Sequence, residues 1–467
     1  MKRNRFSFLI YIWFILLSVV YCPDVITGYT FKVVKDTALA KGVSYKKIIM
    51  GSGWRKHHVH VIEAEVSRED IGVRVLKAKN HIGGKEKLHA MIESHDSLYN
   101  DEILSAVNAN FWSAYNNHPI SHAIKNGEVI KFKNYKEWSS GFFDTDDRLF
   151  IGYFELQGYI SWNDKKIRIS NVNTRRDSAG VILYNKYAGK EIPFISRDKI
   201  NGILEERLND TAFSDITDIA LDTAEFLREI ELQEKAKATE TRLYKIRLEY
   251  LSQPLINKEI KCVVNRADTG LFLMPKSGCI ISFGEDTPYD HIPDKGDTLV
   301  LKFSTSIHDS LIFKSAVSGT PRLVTQGKAD HKAREEGSRS RRFIRYHLPR
   351  TAVGTNKDKT ILILAVVESS SRRYKRRGAN LQEMAVIMKK LGCYDAMNLD
   401  GGGSSQMLIQ GKNILSNAGP MDGRKISTGL GIIKIKPLRN IFKALPKRNI
   451  NIKDTLPGSL DTLPDRR

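Results

Sequence analysis

Cysteine is scarce in this chain, with four among 467 residues. Cys22 lies in an apolar N-terminal stretch, which leaves Cys262, Cys279 and Cys393 for the folded part. A disulfide-dense scaffold is therefore excluded, and no Cys/His spacing of the kind that holds zinc occurs. Long apolar runs are equally few. After Phe6–Cys22 no stretch is long enough to span a bilayer. No internal repeat is apparent. Zinc-finger, RNA-recognition and basic-zipper spacings are also missing. A nucleic-acid partner would rest on charge alone and is not expected.

What the chain does have is charge of one sign. Lys plus Arg number 74 against 53 Asp plus Glu, a formal net charge of +21. Such an excess favours anionic partners such as an acidic polysaccharide or a phosphate-bearing surface. Lys2, Arg3 and Arg5 precede the uncharged run Phe6–Cys22, and small residues follow near Thr27-Gly28. This is the layout of a secretory signal over residues 1–28. The protein is thus expected to be exported (secreted, periplasmic or cell-surface). Membrane contact is expected only if that segment stays uncleaved as an anchor. Export permits a Cys262–Cys279 disulfide; the spacing fits two reduced thiols on neighbouring strands equally well. His58 and His60 would share a strand face and read as surface residues rather than ligands.

Ser44–Lys77 is strand-like, and Leu88–Leu98 has helical spacing. Residues 198–251 are rich in Glu, Lys, Leu and Ala and read as a helical insertion on a strand-rich body. Ile361–Val367 is an unbroken apolar run, as in a strand buried on both faces. Asn380–Leu391 is an amphipathic helix opened by an Asn380/Glu383 capping box. Residues 437–467 carry four prolines among charges and are expected to be disordered.

Several segments could carry chemistry. Asn398-Leu399-Asp400-Gly401-Gly402-Gly403-Ser404-Ser405-Gln406 places a carboxylate at a strand end, ahead of three glycines and two serines. Successive N–H groups in such a turn form an anion-binding nest, and the alternative is a plain glycine-rich turn. Asn108 and Asn110 share a face and suit sugar hydroxyls, or else form a turn. Ser318-Gly319-Thr320-Pro321-Arg322 displays Thr320 and Arg322. Arg350, in Arg350-Thr351-Ala352-Val353-Gly354, could bind phosphate in bidentate fashion. Glu368 ends the buried strand as Asp400 ends its own. If those strands are neighbours, two carboxylates flank one pocket, the minimum for glycoside hydrolysis.

Together and in this order, these segments resemble the phosphodiester glycosidase family. Arg377-Gly378-x-Asn380-Leu381-x-Glu383-Met384-Ala385 and the Asn398–Ser404 block carry most of the resemblance. Arg350–Gly354, Asn417-Ala418 and Ile426–Leu430 add to it. The family usually has Asn-Gly-Gly-Phe-Phe at 108–112, Ser-Gly-Gly-Pro around Thr320, and Asp-Gly where Glu368-Ser369 stands here. The strand-rich pattern agrees with the α+β fold that the resemblance implies: a mixed-sheet body over 29–436 with packed helices and the insertion. The implied activity is cleavage between a sugar's anomeric carbon and a phosphodiester oxygen, with a glycosyl phosphodiester or other phosphate-bearing glycan as partner. Asp400 and Glu368 would be the catalytic pair. Arg350 and Gly401–Ser405 would hold phosphate, and Asn108, Asn110 and Thr320 the sugar. A non-catalytic module binding phosphate-bearing or acidic glycans is the alternative. No cofactor is demanded, although Asp400, Glu368 and the asparagines offer oxygen ligands to a divalent cation.

Overall fold

The apolar run Ile361–Val367 is an interior strand of an eight-stranded sheet. Its residues alternate between two cores. Ile363, Ala365 and Val367 pack with Met384, Ala385 and Met388 of the helix Leu381–Lys390. Leu362, Leu364 and Val366 pack with Val73, Val107 and Leu430 of a second sheet. Burial on both sides is why the run lacks the polar alternation of a half-exposed strand. The helix begins as expected, with both reciprocal bonds of the Asn380/Glu383 capping box formed.

The strand order of the first sheet is Tyr29–Ala40, Val43–Ser52, Arg55–Glu65, Ile361–Val367, Arg350–Thr355, Asp395–Asn398, Arg322–Thr325, Lys328–Ala329. The second is Lys412–Asn413, Met407–Ile409, Asp101–Asn108, Thr428–Ile435, Ile71–Lys77. The helix Leu88–Leu98 covers its outer side through Leu88, Met91 and Ile92. The layers therefore run helix, sheet, sheet, helix, and the fold is α+β. This computed structural model describes residues 29–52, 55–99, 101–176, 179–192, 223–287, 293–368, 378–415 and 423–435. The N-terminal segment 1–28, residues 198–222 of the expected insertion, Arg377, Asn417-Ala418 and the tail 437–467 lie outside them.

Residues 156–305 hold a closed barrel of seven strands, with Ile160, Ile169, Leu183, Leu248, Ile281 and Leu301 in its core. This corrects the boundary of the helical insertion. A helix does run from Thr223 to Arg242, but Lys245–Tyr250 is a barrel strand. Ile246 and Leu248 alternate inward there, a period of two rather than 3.6. Cys262 and Cys279 are both free and buried. They lie on strands that flank Lys245–Tyr250 on either side, so they are not on neighbouring strands. Burial pushes the Cys262 thiol up to about 12 and holds Cys279 well above its usual value. The histidine expectation is also corrected. His57 and His60 are buried, because Arg55–Glu65 runs inside the sheet between Val43–Ser52 and Ile361–Val367.

Candidate active site

Asp400 reaches its position through two bonds that draw the chain off the end of the Asp395–Asn398 strand. Leu399 N–H donates to Thr351 O (2.8 Å), and Asp400 N–H donates to Ala109 O (2.9 Å). The backbone then folds into a short 3-10 turn over Gly402–Ser404. Gly402 sits at φ +59°, a left-handed conformation that glycine adopts without penalty. The turn folds back on the carboxyl group. Gly401 N–H donates to Asp400 Oδ1 at 2.9 Å. The Ser404 hydroxyl and the Trp112 side chain hydrogen-bond to it as well. Burial raises the Asp400 pKa to about 6, against the opposing pull of Ser404, Arg424, Gly401 and Trp112. This carboxyl therefore changes protonation close to neutral pH.

Two cations and an aromatic ring complete the site. Lys85 Nζ lies 4.2 Å and Arg424 Cζ 5.1 Å from the Trp112 ring centroid. The chain brings them together through an isolated antiparallel bridge, in which Glu86 and Ile426 exchange backbone bonds of 3.1 and 2.9 Å. A buried lysine braces that bridge. Lys77 Nζ donates to Gly84 O and Ser427 O, both at 2.9 Å, and to Ser427 Oγ at 3.1 Å. Burial lowers its pKa to about 7. Sequence reasoning missed Lys85 and Arg424 because nothing local separates them from the other basic residues. Arg424 does stand two residues before the Ile426–Leu430 block, the one available signal.

The structure places the remaining expected site residues differently. Arg350 is 1% exposed, with Nε donating to Ala379 O (3.0 Å) and Nη2 to Phe343 O (2.6 Å) and Tyr346 O (3.3 Å). Its guanidinium ties loops together beneath the glycine turn and is not presented to a phosphate. Asn108 Nδ2 donates to Asp400 O (2.6 Å), while its Oδ1 accepts from Thr351 Oγ1 and Gln406 N. Asn110 Nδ2 donates to His122 O (2.9 Å) and its Oδ1 accepts from Thr428 Oγ1. Both amides hold the backbone that carries the site instead of facing a sugar. Thr320 Oγ1 donates to the buried Glu336, which also accepts from Arg322 N and pairs with Arg322 Nε at 3.5 Å. The nest is likewise filled from within. Gly401 N–H goes to Asp400, Gly402 N–H to Pro349 O, Ser404 N–H to Gly401 O and Ser405 N–H to Gly402 O. Ser405 Oγ is buried without a partner among the described residues.

The paired-carboxylate arrangement is not formed. Val367 pairs with Arg350, and Asn398 with Ala352, so Glu368 and Asp400 do lie at one end of the sheet. The Arg350–Thr355 strand runs between theirs, about 10 Å in two strand spacings. Glu368 continues the face of Leu362, Leu364 and Val366, whereas Met397 and Leu399 occupy that face on the other strand. Its carboxylate meets His60 Nε2 (3.4 Å), His58 Nδ1 (3.5 Å) and Lys47 Nζ (3.6 Å). The oxygen donors suggested for a divalent cation therefore do not converge. Among the described residues no group of three His, Cys, Asp or Glu side chains could hold a metal ion.

The sequence profile of the phosphodiester glycosidase family matches residues 265–433. A SPbeta prophage-derived uncharacterized protein of Bacillus subtilis, YomE, is 38% identical over 66 residues, which span 14% of this chain and 10% of that protein. The fold resembles a hypothetical protein from Synechocystis (TM-score 0.58, 16% identity, 87% of this chain and 68% of that one). It also resembles a Burkholderia pseudomallei protein assigned as exported (TM-score 0.55, 14% identity, 87% and 97%). No helix among the described residues is long and apolar enough to cross a membrane. Residues 265–433, which carry Asp400 and its glycine turn, are thus similar to the phosphodiester glycosidase family.

Proposed function

We propose that this protein is an exported glycosidase that cleaves the sugar–phosphate bond of a glycosyl phosphodiester, releasing free sugar and a phosphomonoester. The observation that carries the reading is Asp400, a buried carboxyl titrating near neutrality beside Trp112, Arg424 and Lys85. In the proposed step Asp400 takes a proton from water as the water oxygen attacks the anomeric carbon. The bond from that carbon to the phosphate oxygen breaks, and its electron pair leaves with the phosphate. A phosphate monoester has a second pKa of about 6 and departs without a donated proton. One carboxylate therefore suffices, and the orientation of Glu368 away from Asp400 is no obstacle. The charge growing on the leaving group falls to Arg424 and Lys85, which lie against the Trp112 ring.

The test is turnover of α-glycosyl phosphodiesters by the wild type and by Asp400→Asn in ¹⁸O-labelled water, read by mass. Free sugar carrying the label, lost in the variant, is the expected result. Label in the phosphate would make the protein a phosphodiesterase. That no second carboxylate among the described residues faces Asp400 also suits a non-catalytic module for phosphate-bearing glycans, and binding of the panel without release would favour it.

A further inference from the structure

The outside of the barrel carries a recess that shares no residue with the Asp400 site. The period of two that sends Ile160 and Ile169 into the barrel core turns Gln157 and Arg168 outward. Their strands are antiparallel neighbours, with Gly158 opposite Ile169 and Tyr159 opposite Arg168. Lys133, Asn134 and Lys136, from the segment after the strand Glu128–Lys131, line the same recess, as does Tyr153. The cavity measures about 560 Å³, inside the range of about 300–1,000 Å³ usual for small-molecule sites. His122 in its wall meets only the scaffold of the Asp400 site, its carbonyl accepting from Asn110 Nδ2 at 2.9 Å.

The lining is polar and carries open hydrogen-bonding groups. Asn134 Nδ2 donates to Phe154 O at 2.7 Å, while its Oδ1 is buried without a partner among the described residues. A buried acceptor left open is unfavourable, and a ligand hydroxyl would satisfy it. Gln157 Oε1 accepts from the Tyr159 hydroxyl at 3.0 Å, and its NH2 has no partner among the described residues. Three cations, Lys133, Lys136 and Arg168, line the recess with one acid, Glu155, which accepts from the Tyr153 hydroxyl at 3.1 Å. Lys136 is tied down, with Nζ donating to Gly337 O at 3.3 Å. Lys133 and Arg168 have no hydrogen-bond or ion-pair partner among the described residues. One unpaired surface cation is ordinary. Two in one recess, beside an orphaned amide oxygen and an open amide NH2, make a site for a ligand that has both charge and hydroxyls. The apolar lining, Phe132 and Leu156, is buried and offers little to a lipid.

We infer that this recess binds a sugar unit bearing an anionic group, phosphate or carboxylate, with Lys133 and Arg168 on the anion and Asn134 and Gln157 on hydroxyls. The site holds whether or not Asp400 is catalytic. That the bound sugar is a further unit of the glycan being cleaved rests on the glycosidase reading.

Calorimetry on the full-length protein provides the test. The probes are the 6-phosphates of glucose, galactose, mannose and N-acetylglucosamine, the parent sugars, glucuronate, galacturonate and inorganic phosphate. At least one anionic sugar should bind tenfold or more tightly than both its parent sugar and inorganic phosphate. Lys133→Gln/Arg168→Gln, at two exposed positions, should lower that affinity at least tenfold, and Arg424→Gln should leave it within twofold. Gln157→Ala keeps the cations and should weaken the anionic sugar but not inorganic phosphate. Tighter phosphate arms identify a phosphorylated unit and tighter uronate arms an acidic polysaccharide, and either supports the inference. Inorganic phosphate binding as tightly as every anionic sugar would reduce the recess to surface charge and overturn it. So would binding of none of the panel, an affinity unchanged in the double variant, or a loss in Arg424→Gln, which would put the ligand at the Asp400 site. Failure of the glycosidase reading appears separately, as turnover that survives in Asp400→Asn.

Discussion

A buried acid poised for chemistry costs the fold stability, and for Asp400 the cost can be located in pH. Burial raises its pKa from 3.8 to about 6. At about 1.4 kcal/mol per pKa unit, ionising it in place costs about 3 kcal/mol relative to the unfolded chain. The folded state holds its proton longer than the unfolded state does. The penalty is therefore absent below about pH 4, grows as pH rises, and is complete above about pH 6. Asp400→Asn removes the titration. It also leaves one amide oxygen for Gly401 N–H, Ser404 and Trp112, and turns an NH2 toward donors, a constant loss of about 1–2 kcal/mol. The informative quantity is thus the difference between variant and wild type as a function of pH. Urea unfolding from about pH 4 to about pH 7.5 should show the variant gaining about 3 kcal/mol on the wild type, with no further gain at the top of the range. A difference that stays flat, or that shrinks as pH rises, would refute the assignment of a buried, elevated carboxyl. On the catalytic side, kcat/KM should rise with pH through a single ionisation near 6.

Further outcomes follow from the same geometry. Glu368→Gln should keep turnover within about threefold of wild type, because its carboxylate faces His58, His60 and Lys47; a loss as deep as that of Asp400→Asn would restore it to the site. Arg350→Ala should destabilise the protein by about 3 kcal/mol, since two buried carbonyls and one part-buried carbonyl lose the guanidinium, and should slow phosphodiester and aryl glycoside substrates equally, as urea unfolding and parallel kinetics would show. Arg424→Gln should depress turnover of the phosphodiester more than that of an activated aryl glycoside, a split that competition kinetics reads directly. Cys262 and Cys279 should resist alkylation in the folded protein and react once it is unfolded, without prior reduction.

How much of this was legible in the sequence depended on whether a signal was local. The helix Leu381–Lys390 announced itself through a cap and a spacing, and the strand Ile361–Val367 through an unbroken apolar run, both properties of a few consecutive residues. The barrel did not, because closing seven short strands is a matter of pairing, and the Glu- and Lys-rich stretch before Lys245 masked the switch to a period of two. The site divides in the same way. Asp400 and its glycines are contiguous and were visible. Whether a polar residue faces a ligand or the scaffold depends on partners far away in the chain, and here the scaffold claimed them. Arg350 is held by carbonyls at 343, 346 and 379, Asn108 by Asp400, Thr351 and Gln406, and Thr320 by Glu336. The cations that remain near Asp400, Lys85 and Arg424, are adjacent because Glu86 pairs with Ile426, 340 positions further along the chain. The motif residues thus build the cradle of Asp400, and under the proposed function the charge facing a substrate would come from side chains with no motif of their own. The phosphate preference of such a site should therefore follow changes at Lys85 and Arg424 more closely than changes within the Asn398–Gln406 block, apart from Asp400 itself.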